Sequence, residues 1–153
     1  MYIMLTSTVD RHMKTIFFLA GLAGMACSAA AQNAVSAAFS KSYEYEYAKE
    51  YGKAVSALES VHAADSYSTS LRLGWLTYLN GDYVKSQGYY KNGIRLEPKS
   101  VEARLGYVYP ASRLENWEDV IKTYIDILAF DPGNSTAAYR LALIYYGRKD
   151  FPK

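Results

Sequence analysis

From Tyr43 to Tyr51 the chain reads YEYEYAKEY, an alternation of aromatic and charged positions with the period of a half-buried strand. The same letters also set Tyr43, Tyr47 and Tyr51 four residues apart, and Ala54, Leu58 and Val61 extend that stripe at steps of three and four. The helical pattern is the longer one. It predicts the end of one helix and the start of the next, with a turn around Ala48-Lys49-Glu50 that contains no glycine.

The pattern recurs. In rows of 34 residues, Leu73 aligns with Tyr107 and Leu141, Asp82 with Asn116 and Asp150, and Tyr83 with Trp117 and Phe151. Tyr90 also aligns with Tyr124, Leu96 with Phe130, and Pro98 with Pro132. An earlier copy fits at a spacing of 32, matching Tyr51, Ala54, Leu58 and Val61 to Tyr83, Ser86, Tyr90 and Gly93. Each unit holds two helical patterns. In the clearest one, Leu71, Leu73, Gly74, Trp75 and Tyr78 mark the first, and Tyr83, Ser86, Tyr89, Tyr90 and Gly93 the second. Asn80-Gly81-Asp82 supplies the turn between them, because glycine takes the left-handed conformation that ends a helix. Gly74 and Gly93 let helices approach closely, and Pro98 and Pro132 stop each second helix. A hairpin of this kind cannot bury its apolar face alone, so successive hairpins stack.

Residues 67–100, YSTSLRLGWLTYLNGDYVKSQGYYKNGIRLEPKS, resemble a tetratricopeptide repeat at Leu73-Gly74, Tyr78, Gly81-Asp82-Tyr83, Tyr90, Leu96 and Pro98. The resemblance extends from about Val35 to the end of the chain. It implies an all-α fold, a right-handed α-solenoid of antiparallel helix pairs, with units near 35–66, 67–100, 101–134 and a partial unit 135–153. The 101–134 copy departs from the pattern, carrying Val108 where a small residue is wanted and Glu115 where glycine is wanted. Pro110 removes a backbone donor inside that copy's first helix, so a kink or a shifted start is expected there. The final helix is expected from about Ser135 to Tyr146, leaving Ala138, Leu141, Ala142 and Tyr145 uncovered, so self-association through this helix, or continuation in a longer array, is anticipated.

In this family the first helix of each pair lines a concave surface that binds a partner segment, often a peptide. The resemblance therefore implies a groove formed by Phe39, Tyr43 and Tyr47, then Leu71, Arg72, Trp75 and Tyr78, then Leu105, Tyr109 and Arg113, and finally Tyr139, Arg140, Leu143 and Tyr146. The alternative for any one ring is packing between neighbouring hairpins. One subgroup of the family clamps a C-terminal carboxylate with lysine and asparagine. Here Leu71, Trp75, Leu105 and Tyr109 stand in those places, and Arg72 and Arg140 are left as candidates to meet an acid.

Composition adds the compartment and removes several chemistries. Met13-Lys14, the apolar run Ile16 to Ala26 and the exit Ala29-Ala30-Ala31 make the three parts of a secretory signal, predicting residues 1–31 as signal peptide and 32–153 as the repeat domain. Met13 is a candidate initiator, and Cys27 offers a second reading as a lipidation site. The expected address is periplasmic or secreted, with an outer-membrane lipoprotein as the alternative and membrane association only if Cys27 is lipidated. The net charge is +2 with no basic run, which gives a nucleic acid nothing to hold, so no such partner is expected. Sixteen tyrosines suit helix seams and half-exposed interfaces, since the ring is apolar and the hydroxyl wet.

Catalysis has little support. His62 is the only histidine after the signal segment, and Cys27 is the only cysteine. The carboxylate pairs Glu44/Glu46 and Glu118/Asp119 are expected on solvated helix faces, and His62 is expected to complement a helix dipole. The reading is a non-enzymatic interaction scaffold with no metal and no cofactor, binding a protein or peptide. Its alternative is a truncated accessory domain, a spacer within a larger envelope assembly or enzyme.

Overall fold

The computed structural model describes residues 32–148. Among them the chain forms seven helices and no strand. Helix α1 covers 32–47; α2 (Tyr51–Glu59), α3 (Tyr67–Leu79), α4 (Tyr83–Leu96), α5 (Val101–Arg113), α6 (Trp117–Phe130) and α7 (Ser135–Arg148) follow. The expected signal segment and Phe151 lie outside the described residues. No helix among the described residues is long and apolar enough to cross a membrane.

Local chemistry sets several boundaries. Ser66 and Ser100 accept the backbone N–H of Thr69 and Ala103, capping α3 and α5, and Asn134 accepts that of Ala137 at 2.9 Å to cap α7. Helices α1, α3 and α5 each end in a Schellman turn. Asp82 N–H bonds Thr77 C=O and Gly81 N–H bonds Tyr78 C=O, with Gly81 at φ 85°. The same two bonds recur at Glu50 and Lys49, and at Asn116 and Glu115. There the left-handed residue is not glycine: Lys49 and Glu115 both sit at φ 59°. YEYEYAKEY thus closes α1, turns through Ala48 and Lys49, and opens α2 at Tyr51.

Pro110 does not shift the start of α5, which begins at Val101 under its Ser100 cap. The helix runs through the fully buried Pro110 to Arg113. The ring forfeits one donor, while its own carbonyl still receives Leu114 N–H at 3.1 Å.

From α2 to α7 consecutive helices pack on one another, and α3 also touches α5, which puts the first helices of these two pairs side by side. Two apolar clusters fill the seams. One joins Ala38 of α1 to Ala54 and Leu58 of α2 and to Leu73 and Leu76 of α3. The other runs from Tyr90 of α4 through Tyr107, Val120, Tyr124 and Ile127 to Ala137 of α7. Tyr90 is the wedge of the array. A Cβ at Gly74 would come within 2.9 Å of its ring, and a Cβ at Gly106 would overlap it. The close approach that Val108 cannot give in the third unit is therefore made by Gly106, two residues earlier. In α7, Leu141 is half buried rather than uncovered, because it shares a stripe with Ala137 and Ile144 that faces the preceding pair; Ala138 and Ala142 are exposed, and Tyr145 is intermediate.

Candidate partner-binding groove

Helices α1, α3 and α5 open a cleft of about 820 Å³ along their shared side. Its lining includes Phe39 and Tyr43 from α1, Leu71, Arg72 and Trp75 from α3, and Leu105 and Tyr109 from α5, with Tyr90 reaching in from α4. Helical spacing explains the selection: 39 and 43, 71 and 75, and 105 and 109 are each one turn apart on one face.

The polar floor of this cleft is built across helices. Arg72 Nη1 pairs with Glu46 Oε2 at 2.6 Å, and Arg72 Nε donates to Ser42 Oγ at 3.1 Å. The guanidinium carbon lies 3.8 Å from the centroid of the Tyr43 ring. Trp75 Nε1 donates to Glu46 Oε1 at 2.7 Å, so both oxygens of that carboxylate are engaged. The side chains of Arg72 and Glu46 are only 9% and 24% exposed. Glu46 is thus a correction to the sequence reading, which places it on a solvated face; Glu44, its neighbour, is exposed. Arg72 Nη2 is buried with no hydrogen-bond partner.

An aromatic row continues from the floor. Trp75 stacks on Tyr78 with centroids 5.7 Å apart, and Tyr109 meets Tyr78 at 5.7 Å and Trp75 at 6.2 Å. Tyr78 then touches Tyr83, whose hydroxyl accepts from Arg113 Nε and Nη2 at 3.0 and 2.8 Å. Tyr43 and Tyr109 remain 56% and 52% exposed, so this row presents open ring surface. Several rings both pack and line the cleft: Phe39 and Trp75 lie against one core cluster, and Leu71 and Leu105 against the other. Burial pushes the Tyr90 phenol up, with the neighbouring Tyr109, Glu102 and Tyr78 adding to the effect, which keeps its hydroxyl protonated.

The remaining sequence-predicted positions lie elsewhere. Arg140 and Leu143 line a second cleft of about 580 Å³ with Trp117, Tyr124 and Arg148, between α6 and α7. Tyr139 and Tyr146 are exposed and line neither cleft, and Tyr47, at the end of α1, is 93% exposed. Two further polar residues prove to hold seams. Asp119 accepts the Tyr107 hydroxyl at 2.8 Å, and His62 lies past the end of α2, edge-on to Tyr89 at 5.5 Å.

No family model matches the sequence, and no curated protein matches it. Solved structures do. The first TPR of Spaghetti (RPAP3), bound to the HSP90 peptide SRMEEVD, superposes with a TM-score of 0.66 at 13% identity, covering 76% of this chain and 94% of that one. The fold is that of a tetratricopeptide-repeat solenoid. The second TPR domain of human RPAP3, in complex with the HSP70 peptide SGPTIEEVD, gives 0.64 at 13% identity over 74% of this chain and 97% of its own. The Arabidopsis OM64 TPR domain gives 0.62 at 15% identity over 73% and 94%. The likeness in fold spans 73–76% of this chain, and the cleft of Arg72 and Trp75 lies on the face of α1, α3 and α5.

Proposed function

We propose that the chain is a non-catalytic scaffold that holds a segment of a partner protein in the cleft between α1, α3 and α5. One observation carries the reading. A fixed polar floor, Glu46–Arg72–Trp75, sits beneath half-exposed rings in a concave cleft, and aromatic and arginine anchors of this kind supply most of the binding energy at protein interfaces. The two RPAP3 domains are described with bound peptides, which supports a peptide as the occupant. Their peptides both end in Glu-Glu-Val-Asp, whereas here the Arg72 charge is already matched by Glu46, and Glu102 stands in the lining. An acidic tail is therefore disfavoured in this cleft.

The leader pattern in residues 1–31 supports export, and the proposed site of action is the periplasm or the outside of the cell. N-terminal sequencing of the exported chain tests this: Gln32 as first residue agrees with a cleaved signal, and an intact Met1 or Met13 in the cytosol contradicts it.

Binding is tested by selecting peptides from a displayed library on the wild-type chain, then measuring them on Trp75→Ala/Tyr109→Ala. Truncating two such rings is expected to cost ~2 kcal/mol or more of binding free energy with helix content retained. Binders that keep full affinity for a folded double variant contradict the groove.

A further inference from the structure

We infer that the segment held in this cleft carries a lysine or arginine side chain, which pairs with Glu102 beside the apolar floor. This assignment rests on the groove reading and names the charge of its occupant. Two charged side chains, Arg72 and Glu102, stand in the lining. Arg72 is already matched: Nη1 pairs with Glu46, Nε donates to Ser42 Oγ, and the guanidinium lies over the Tyr43 ring. Glu102 is open. It is exposed, and its carboxylate makes no hydrogen bond or ion pair within the described residues. The cations nearest in sequence do not pair with it, since Lys99 makes no ion pair among these residues and Arg104 donates to Ser100 C=O and lies over the Phe130 ring. Its charge is felt in the cleft. Burial raises the phenol of Tyr67, another lining residue, the hydrogen bond with Ser100 opposes the rise, and the charges of Glu102 and Glu97 add to it.

An unmatched carboxylate in a ring-lined cleft selects by charge. Helical spacing sets Glu102, Leu105 and Tyr109 on one face of α5, so the acid and the rings belong to one surface. A neutral segment laid over Glu102 strips water from its oxygens and returns nothing, and an acidic one adds repulsion. A basic one replaces that water with a charge-assisted hydrogen bond. Lysine and arginine also fit the apolar floor, because their methylene stems pack along Val101 and Leu105 while the charged head stays at Glu102. About 10 Å of helix separates Glu102 from Tyr109, the span of roughly three extended residues, so the cation and an apolar anchor lie within one short segment. First-turn placement of Glu102 also suits the α5 dipole, but Ser100 caps that turn and the carboxylate bonds no backbone N–H of it.

The test is selection of displayed random heptapeptides on the wild-type chain, followed by calorimetric titration of the synthetic binders. Binders are expected to be enriched in lysine and arginine, to be lost in Trp75→Ala/Tyr109→Ala, and to weaken roughly tenfold on Glu102→Gln, an exposed position. Replacing the peptide's basic residue by glutamine should cost the same roughly tenfold on the wild-type chain and nothing more on Glu102→Gln. Binders that are lost in Trp75→Ala/Tyr109→Ala but carry no basic residue, or carry one and bind Glu102→Gln unchanged, overturn the charge assignment and leave the groove standing. Binders that keep full affinity for a folded Trp75→Ala/Tyr109→Ala, or no binders at all, overturn both.

Discussion

At the scale of single residues, three left-handed positions close the first three hairpins, and only one is the residue that geometry prefers. Gly81 takes φ 85° without cost, but Lys49 and Glu115 hold φ 59° with a Cβ present. Lys49→Gly and Glu115→Gly should each therefore stabilise the fold, by about 0.5–1 kcal/mol after glycine's extra chain entropy is subtracted, read as a higher melting temperature. Gly106 and Gly88 make the opposite pair. Gly106→Ala forces the Tyr90 ring aside and should cost about 1–3 kcal/mol, whereas Gly88→Ala, in α4 with open space around it, should gain about 0.5–1 kcal/mol. Equal effects of the two alanines in denaturant titration would contradict the wedge. The sequence makes one half of this visible. The Asn80-Gly81-Asp82 turn is legible because glycine announces its conformation, while Glu115 enters the same turn through backbone hydrogen bonds that leave no mark in composition. The caps Ser66, Ser100 and Asn134 do leave one, a hydroxyl or amide every 34 residues, which the hydrophobic pattern passes over.

Between elements, many side-chain hydrogen bonds span about one unit of the repeat. Trp75 reaches Glu46 over 29 residues, Arg72 reaches Ser42 over 30, Tyr89 reaches Glu59 over 30, and Tyr67 reaches Ser100 over 33. This is why Glu46 reads as solvated from its own helix and is buried by its neighbour: the partner lies one unit away. Arg72→Met leaves that part-buried carboxylate with the Trp75 indole as its remaining partner, and should cost about 1–3 kcal/mol, while Arg72→Met/Glu46→Leu should recover much of the loss. Failure of the second change to restore stability would place the cost elsewhere than in the ion pair. The α2–α4 link has a pH signature. Burial, then the hydrogen bond and charge of Glu59, push the Tyr89 phenol up to about 12. A phenol raised on folding stabilises the fold fully below about pH 10, and that contribution fades as the pH climbs through the folded value. Glu59→Gln should lower the Tyr89 transition in an ultraviolet phenolate titration and flatten the alkaline fall in stability; an unchanged transition would mean that Glu59 does not reach it.

Across the whole molecule, each hairpin leans chiefly on its neighbours, so local damage spreads along the row. Leu73, fully buried between α1, α2 and α3, should cost roughly 2–5 kcal/mol as Leu73→Ala, and an unchanged melting midpoint would contradict the register of the units. The helical array was legible because the 34-residue period repeats itself along the chain; the cleft was legible only in outline, since the same period marks Leu71, Trp75 and Tyr109 but not the carboxylate that holds the Trp75 indole. The face of α1, α3 and α5 is proposed to carry the function. Amide and indole chemical shifts of the isotope-labelled chain, followed during titration with a library-selected peptide, test this most directly. Changes should concentrate at Tyr43, Arg72, Tyr109 and the Trp75 indole N–H that bonds Glu46; changes confined to exposed Val84 on α4 and Ile125 on α6, with the Trp75 indole signal unmoved, would contradict it.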